Sequence, residues 1–368
     1  MRIGVLASVG HMLDSFFSEI VASWSQAGHE VSLAAGTPTR SGAATVIAGL
    51  TRRPGAGSVR AWSGLRDWVR REQLDVVITN TATASALART ARLDVPVVYF
   101  CHGLHWNEGR SLGDRLWQAA EHTLLRRTAG VITINSDDES WFSHRMPGQR
   151  ILRLPGGVGL NPAAYPRTPV PATGPASVDK VVKLAWIGEF SARKRPHLVL
   201  EVAEALQADG VDASITMLGQ GDLHDAFHED LRRRGLQGLV RAPGLGDAAQ
   251  TLAGSHALLH TATWEGLPRV MLEALAVGRR TYAFDVKGVR DIPGVTLAGD
   301  GDPAALAGLI AADWASGRIL EPLAPDRASL DVVRTADAIL LFLETSIVHP
   351  APGRSESLHV PSAGHEAS

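Results

Sequence analysis

The sequence predicts two α/β domains, each a Rossmann-like, doubly wound parallel sheet, facing one another across a central cleft. Three observations carry this. Short apolar runs at 2–7, 30–35, 75–79, 95–101, 130–134 and 150–154 alternate with helical patterns, as parallel strands with crossover helices do. A second series repeats the alternation at 183–187, 214–218, 239–241, 257–260, 280–284 and 295–297. Between them, 161–180 is rich in Pro, Ala, Thr, Gly and Val and has no periodicity. The domains are therefore set at 1–165 and 181–330, with a linker at 166–180.

The first run reads as a strand and not as a signal-peptide core, because Gly10, His11 and Asp14 interrupt it too soon. The next segment with chemistry is a helix containing Arg60, Trp62, Leu65, Arg66, Trp68, Val69, Arg70 and Arg71. Its apolar stripe with a cationic rim suits either core packing or docking on a membrane surface. A helix at 196–208 opens the second series, and a final helix covers 335–345 within a C-terminal segment at 331–348. The tail, 349–368, is rich in Pro, Gly, Ser and His and is expected to be disordered.

Composition narrows the function. With 45% hydrophobic and 20% charged residues over 368 positions, the chain has material for two cores. A formal charge of −2 points away from nucleic acid. Cys101 is the single cysteine, which excludes an internal disulfide and fits a reducing cytoplasm. No apolar run approaches the roughly 18 to 20 residues that span a bilayer, so membrane contact is expected to be peripheral. The histidines lack metal spacing, and no Gly-x-Ser-x-Gly elbow, Walker lysine loop or Gly-x-Gly-x-x-Gly fingerprint is present.

The most informative segment is Thr263-Trp-Glu-Gly-Leu-Pro-Arg-Val-Met-Leu-Glu-Ala-Leu-Ala-Val-Gly278. Pro268 suits the first turn of a helix and Gly278 its end. Glu265 then lies in the preceding loop, and Glu273 about 7 Å into the helix at 1.5 Å per residue. The two carboxylates suit hydroxyl groups at two places on one long ligand. Backbone N–H groups from Gly266 and Leu267 onward suit a phosphate between them. A second constellation is Trp186-Ile-Gly-Glu-Phe-Ser-Ala-Arg-Lys-Arg-Pro196, where a strand ends at Gly188 and Arg193, Lys194 and Arg195 precede a helix. Three cations oppose the helix dipole unless an anion sits among them. Lys180, Lys183, Lys194 and Lys287 are the only lysines in an arginine-based sequence, which singles out Lys194.

Glu-Gly-Leu-Pro, a helix with Glu-Ala-Leu-Ala-x-Gly and a following strand resemble the signature of retaining glycosyltransferases of family 4, which have the GT-B fold. Ala7-Ser-Val-Gly-His11, Tyr99-Phe-Cys-His-Gly-Leu-His-Trp106, Glu121, Ile132-Thr-Ile-Asn135 with Asp137 and Asp138, and Pro155-Gly-Gly-Val-Gly159 narrow the likeness to capsule and exopolysaccharide enzymes. It covers almost the whole chain to Asp291. The resemblance implies that Glu273 binds ribose hydroxyls, Glu265 binds donor-sugar hydroxyls, and Lys194 neutralises the departing diphosphate. Glu189 stands where the family has Arg, and Arg193 is the residue that compensates. Gly188, Gly266, Leu267 and Gly288 complete the implied donor site. His102 is implied as a catalytic histidine, and Gly10, His11 and His105 as residues that meet acceptor or phosphate. The C-terminal helix is expected to return to the first domain.

In activity, the resemblance implies hexosyl or N-acetylhexosaminyl transfer from a nucleotide sugar, with UDP favoured, to a polysaccharide or polyprenyl-linked saccharide. No metal or other cofactor is expected, and the place is the cytoplasm or the inner face of its membrane. Two alternatives remain: a nucleotide-sugar binder with little transfer activity, and a GT-B nucleotide-sugar epimerase.

Overall fold

A computed structural model of the chain describes residues 1–52, 55, 57–104, 106, 111–146, 150–172, 180–349 and 358–359. The chain divides into two compact units, one of Met1–Gly159 with the chain from Asp331 onward, the other of Leu160–Leu330.

The first unit holds β1 (Arg2–Ala7), β2 (Glu30–Ala35), β3 (Thr45–Val46), β4 (Val76–Thr79), β5 (Val97–Cys101), β6 (Gly130–Thr133) and β7 (Ile151–Arg153) in the order β3-β2-β1-β4-β5-β6-β7, all parallel. Ile3 lies beside Val31 on one side and Val76 on the other. Helices α1 (Gly10–Phe16), α2 (Ser18–Gln26), α3 (Ser58–Arg71), α4 (Ala82–Thr90), α5 (Leu112–Leu125) and α6 (Ser136–Arg145) connect the strands. β4, β5 and β6 are buried at every position, as their near-continuous apolar runs require of a sheet covered on both faces.

The second unit repeats the plan with β8 (Val182–Ile187), β9 (Ala213–Leu218), β10 (Val240–Gly244), β11 (Ala257–His260), β12 (Arg280–Phe284) and β13 (Val295–Ala298), ordered β10-β9-β8-β11-β12-β13 and again parallel. Its helices are α7 (His197–Ala208), α8 (His224–Arg233), α9 (Ala248–Ala253), α10 (Arg269–Val277) and α11 (Pro303–Ser316). The expected doubly wound parallel architecture is present in both units. In each, the strand order reverses beside the first strand, between β1 and β4 and between β8 and β11. That reversal opens a crevice at the carboxyl ends of the strands, where such sheets bind ligands.

The chain enters the second unit earlier than the sequence suggested. Arg327 donates to the carbonyls of Pro162, Tyr165 and Ala276. Arg279, 1% exposed, donates to the carbonyls of Thr168, Pro169, Ser255 and Ala253. Burial lowers its pKa to about 10, and the carbonyl oxygens satisfy a guanidinium that stays charged. The start of the segment read as a linker is thus fastened to α9 and α10.

Helix α12 (Val332–Phe342), continued by a wider turn at Leu343–Val348, packs on α2 in the first unit. The Trp24 indole N–H donates to the Ala336 carbonyl at 2.9 Å. Gly130 leaves the room that Ile347 and Phe342 fill, since a Cβ there would lie 2.6 Å from the Ile347 side chain. The tail expected to be disordered lies outside the described residues except for His349 and Leu358–His359, and the latter pair in parallel with β7.

The docking role considered for the stretch from Trp62 to Arg71 is not supported by its packing. Ala61, Leu65, Trp68 and Val69 of α3 are buried in the first unit's core. The Trp62 indole donates to Thr90 Oγ1 at 3.0 Å and Arg66 Nε to the Ala91 carbonyl at 2.8 Å. The stripe is filled by the sheet, the segment at Ile47 and Leu50, and α4, and those polar groups are already bonded. Among the described residues, no helix is long and apolar enough to cross a membrane.

Candidate functional site

The loop after β8 turns back on itself, with the N–H groups of Lys194 and Arg195 both reaching the Ser191 carbonyl. The loop after β11 is laced to it. Thr263 N–H donates to the Arg193 carbonyl at 2.9 Å, and Thr261 Oγ1 to the Lys194 carbonyl at 2.7 Å. Arg195 takes a left-handed φ of 47° and sends its guanidinium to the carbonyls of Thr261 and Ala262 and to Asp300. Of the three adjacent cations read as an anion site, Arg195 is therefore a tie between loops. Its neighbours turn the other way.

Arg193 and Lys194 converge on Glu265. The guanidinium lies 2.6 Å from one carboxylate oxygen and the Lys194 Nζ 2.5 Å from the other. His260, at the end of β11 and 3% exposed, places Nε2 3.5 Å from Glu265 Oε1. Burial alone would raise the Glu265 pKa, but the His260 contact and the Lys194 and Arg193 charges hold it far below the carboxylate range. Burial lowers the pKa of Lys194 against the pull of Glu265, and lowers that of His260, aided by the Lys194 charge. Two cationic side chains thus face one carboxylate at the switch point of the second sheet.

The backbone of Glu265 is held as firmly as its side chain. Its N–H donates to the Lys287 carbonyl at 3.0 Å. Gly288, with φ 76°, packs so close that a Cβ would lie 2.4 Å from the Glu265 carbonyl oxygen and 2.5 Å from that of Gly266. Gly266 is buried and Leu267 packs against the core. Gly188 lies beside the Lys194 stem, and its carbonyl oxygen leaves no room for a side chain on Gly219, where a Cβ would stand 1.8 Å away. Glu189 is exposed.

Pro268 caps α10 from outside, with φ −73° and ψ 104°, so the first helical residue is Arg269 and not the proline. Met271 N–H donates to the Pro268 carbonyl at 3.0 Å, and the N–H groups of Arg269 and Val270 precede the helix's own ladder. Gly278 ends the helix in the left-handed region, φ 90°. Glu273, 8% exposed, lies 3.3 Å from Arg269 Nε on the preceding turn. The Tyr165 hydroxyl bonds to it as well, and burial together with the Glu273 charge pushes that phenol well above its usual pKa.

The other candidates belong to the first unit. His102 stacks on Phe100 with ring centroids 4.4 Å apart and meets Phe16 and Phe17. Burial takes its pKa down to about 4, and its Nε2 has no hydrogen-bond partner in the protein. Its loop is held by Asp138, which accepts from Leu104 N–H and Asn135 Nδ2. Gly10 is buried, and its N–H is taken by Thr37 Oγ1 at 2.9 Å. A Cβ would lie 2.1 Å from the Pro38 carbonyl oxygen, so the backbone that approaches Gly10 is the chain's own and not that of a ligand. His11 is exposed, and His105 lies outside the described residues. Glu121 forms a two-pronged pair with buried Arg89, a structural contact.

Sequence reasoning missed two members of the second-unit site. His260 had a signal, since an ionisable residue closes an otherwise apolar buried strand five positions before Glu265. Tyr165 had none, being placed by the fold of a segment that looked like a linker. Among the described residues, no group of three or more His, Cys, Asp or Glu side chains stands close enough to hold a metal ion.

Comparison with known proteins adds to this geometry. Residues 14–157 match the family described as glycosyl transferase 4-like domain, and residues 182–312 the family described as glycosyl transferases group 1. No curated protein sequence matches the chain. Among solved structures, Anabaena Alr3699/HepE in complex with UDP and glucose is similar with a TM-score of 0.71 at 19% identity, over 94% of this chain and 99% of that one. The lipopolysaccharide outer core galactosyltransferase WaaB superposes with a TM-score of 0.65 at 14% identity, over 93% and 99%. Sucrose-phosphate synthase from Thermosynechococcus elongatus gives 0.66 at 15% identity, over 93% and 95%.

Proposed function

With halves that belong to the glycosyl transferase 4-like and group 1 families, the chain is a glycosyltransferase of GT-B type, and we propose that it moves a hexosyl or N-acetylhexosaminyl group from a UDP-sugar to a hydroxyl of a polysaccharide or lipid-linked saccharide, with retention at the anomeric carbon. The observation that carries the reading is the convergence of Arg193 and Lys194 on Glu265 at the switch point between β8 and β11. UDP is favoured as the carrier because the similar HepE structure holds UDP and glucose.

The chemistry is set by the charges. As the bond from the anomeric carbon to the diphosphate breaks, negative charge gathers on the leaving oxygens. Lys194 and Arg193 are placed to take it, aided by the N-terminus of α10. Two fixed cations let the step proceed without a metal ion. Binding of the diphosphate draws both cations off Glu265, which then accepts hydrogen bonds from the donor sugar's hydroxyls. Glu273, steadied by Arg269 and Tyr165, accepts from the ribose. With Glu265 engaged by the sugar's hydroxyls, departure and attack occur on one face, without a glycosyl-enzyme adduct. His102, neutral near pH 7, offers its unpartnered Nε2 to a sugar hydroxyl or a phosphate oxygen. Work on a lipid-linked acceptor places the protein at the cytoplasmic face of a membrane.

Incubation with UDP- and GDP-sugars, with and without lipid-linked acceptors, is the test. A new glycoside with the donor's anomeric configuration by NMR supports the reading. An altered donor without transfer means an epimerase, and donor binding without any product means a binding protein. Lys194→Ala is expected to lower turnover by about tenfold or more, the loss of a charged contact to the leaving group.

A further inference from the structure

Helix α5 presents its apolar side chains to solvent. Leu112 is 79% exposed, Leu116 73% and Trp117 49%, three of the few large apolar side chains that the described residues leave outside. The helix is firmly set, with Ser111 and Asp114 forming a reciprocal capping box at its start. Its inner face holds Glu121, bonded to Arg89, and buried Leu125. At 3.6 residues per turn, positions 112, 116, 119, 120 and 123 lie opposite that face, and all of them are exposed.

Charge says what covers this face. Arg115 borders it, and Arg126 and Arg127 follow its last turn, all exposed. The helix's two acids are engaged, Asp114 in the capping box and Glu121 with Arg89. Leucines bordered by arginines, with half-exposed Trp117 on the flank of the face, match a bilayer surface, with acyl chains for the apolar face and anionic headgroups for the rim. We propose that α5 is a membrane-docking helix that lies on an anionic lipid surface. The inference rests on the surface of the first unit alone and does not depend on the donor chemistry proposed above.

Co-sedimentation of the full chain with vesicles is the experiment, comparing phosphatidylcholine alone with a mixture containing about one-third phosphatidylglycerol. Wild type is expected to pellet with the anionic vesicles, less so at high salt, and weakly with the neutral ones. Leu112→Ser with Leu116→Ser is expected to weaken binding by about tenfold or more, and Arg126→Glu with Arg127→Glu by about fivefold or more for each charge changed. Because these side chains are exposed, circular dichroism and melting should match wild type. Trp117 emission quenched by brominated lipid, and lost in Trp117→Phe, would place the helix at the acyl boundary. Wild type left in the supernatant, or the double serine variant pelleting as wild type does, overturns the proposal. So does a dimer in ultracentrifugation that the serine substitutions dissolve, since that gives the face to a second copy. A thermal shift with UDP, measured on the same variants, reads the donor site separately.

Discussion

Replacing Glu265 by Gln leaves Lys194, largely shielded, and Arg193, partly exposed, without their anion. The carboxylate, 10% exposed, meets the Lys194 ammonium at 2.5 Å and the Arg193 guanidinium at 2.6 Å, with those side chains 12% and 34% exposed. Breaking a buried pair costs about 3–5 kcal/mol because the stranded charge stays desolvated. Arg193 reaches water and discounts its share, so a loss of about 2–3 kcal/mol is expected, or roughly 5–10 °C in melting. UDP brings a replacement anion to the same cations. The variant should therefore gain more from UDP than wild type does, while transfer falls by about tenfold or more because the neutral amide is a weaker acceptor for the sugar's hydroxyls than the carboxylate. Scanning fluorimetry across a UDP titration, with UDP release followed in parallel, measures both. Equal melting of variant and wild type, or a smaller UDP shift in the variant, refutes the reasoning. The pH dependence has a definite sign. A carboxylate whose pKa is depressed on folding contributes stability in full above its unfolded value, near 4.5, and loses it as pH falls through the folded value. Wild type should weaken on acidification below about pH 4.5, and Glu265→Gln should flatten that decline.

Other outcomes rest on the same geometry. Glu273→Ala should weaken UDP binding by about tenfold, and Tyr165→Phe by about threefold to tenfold, read by calorimetry. Gly288→Ala forces a Cβ to within 2.4 Å of the Glu265 carbonyl at φ 76° and should cost about 1–3 kcal/mol in denaturant while abolishing UDP binding. His102, with its pKa taken from 6.5 to about 4, favours the fold while neutral, so stability should fall as pH drops from 6.5 towards 4. Denaturation of His102→Phe at about pH 7 and about pH 4.5 should show that dependence reduced, and an unchanged dependence would assign it to other groups.

Some of the site was legible because its local signals agree. The proline before α10 and the glycine after it bound the helix, and the apolar stripe of Met271, Leu272, Leu275 and Ala276 predicts one buried face, where the structure buries every residue from Val270 to Val277. Arg193, Lys194 and Arg195 were not separable by such signals. They are adjacent and alike in charge, and the left-handed backbone of Arg195 sends it one way while the other two meet Glu265. Gly10 shows a similar gap. Its need for a bare backbone is a local fact, but whether a ligand or the loop at Thr37 and Pro38 fills the space depends on a segment 27 residues away.

By itself the sequence determined the strands, their parallel pairing and the halves they form, because alternation, turn residues and burial of both faces act over short stretches of chain. It also determined which carboxylates and cations flank the two loops of the second unit's switch point. Only the tertiary structure decided which apolar faces find partners. Periodicity marks α3 as amphipathic, but only its packing into the first unit's core buries that stripe, and only the tertiary structure leaves Leu112, Leu116 and Trp117 of α5 exposed. Amphipathic spacing states that a face needs burial, and what buries it is set by contacts between residues far apart in the chain.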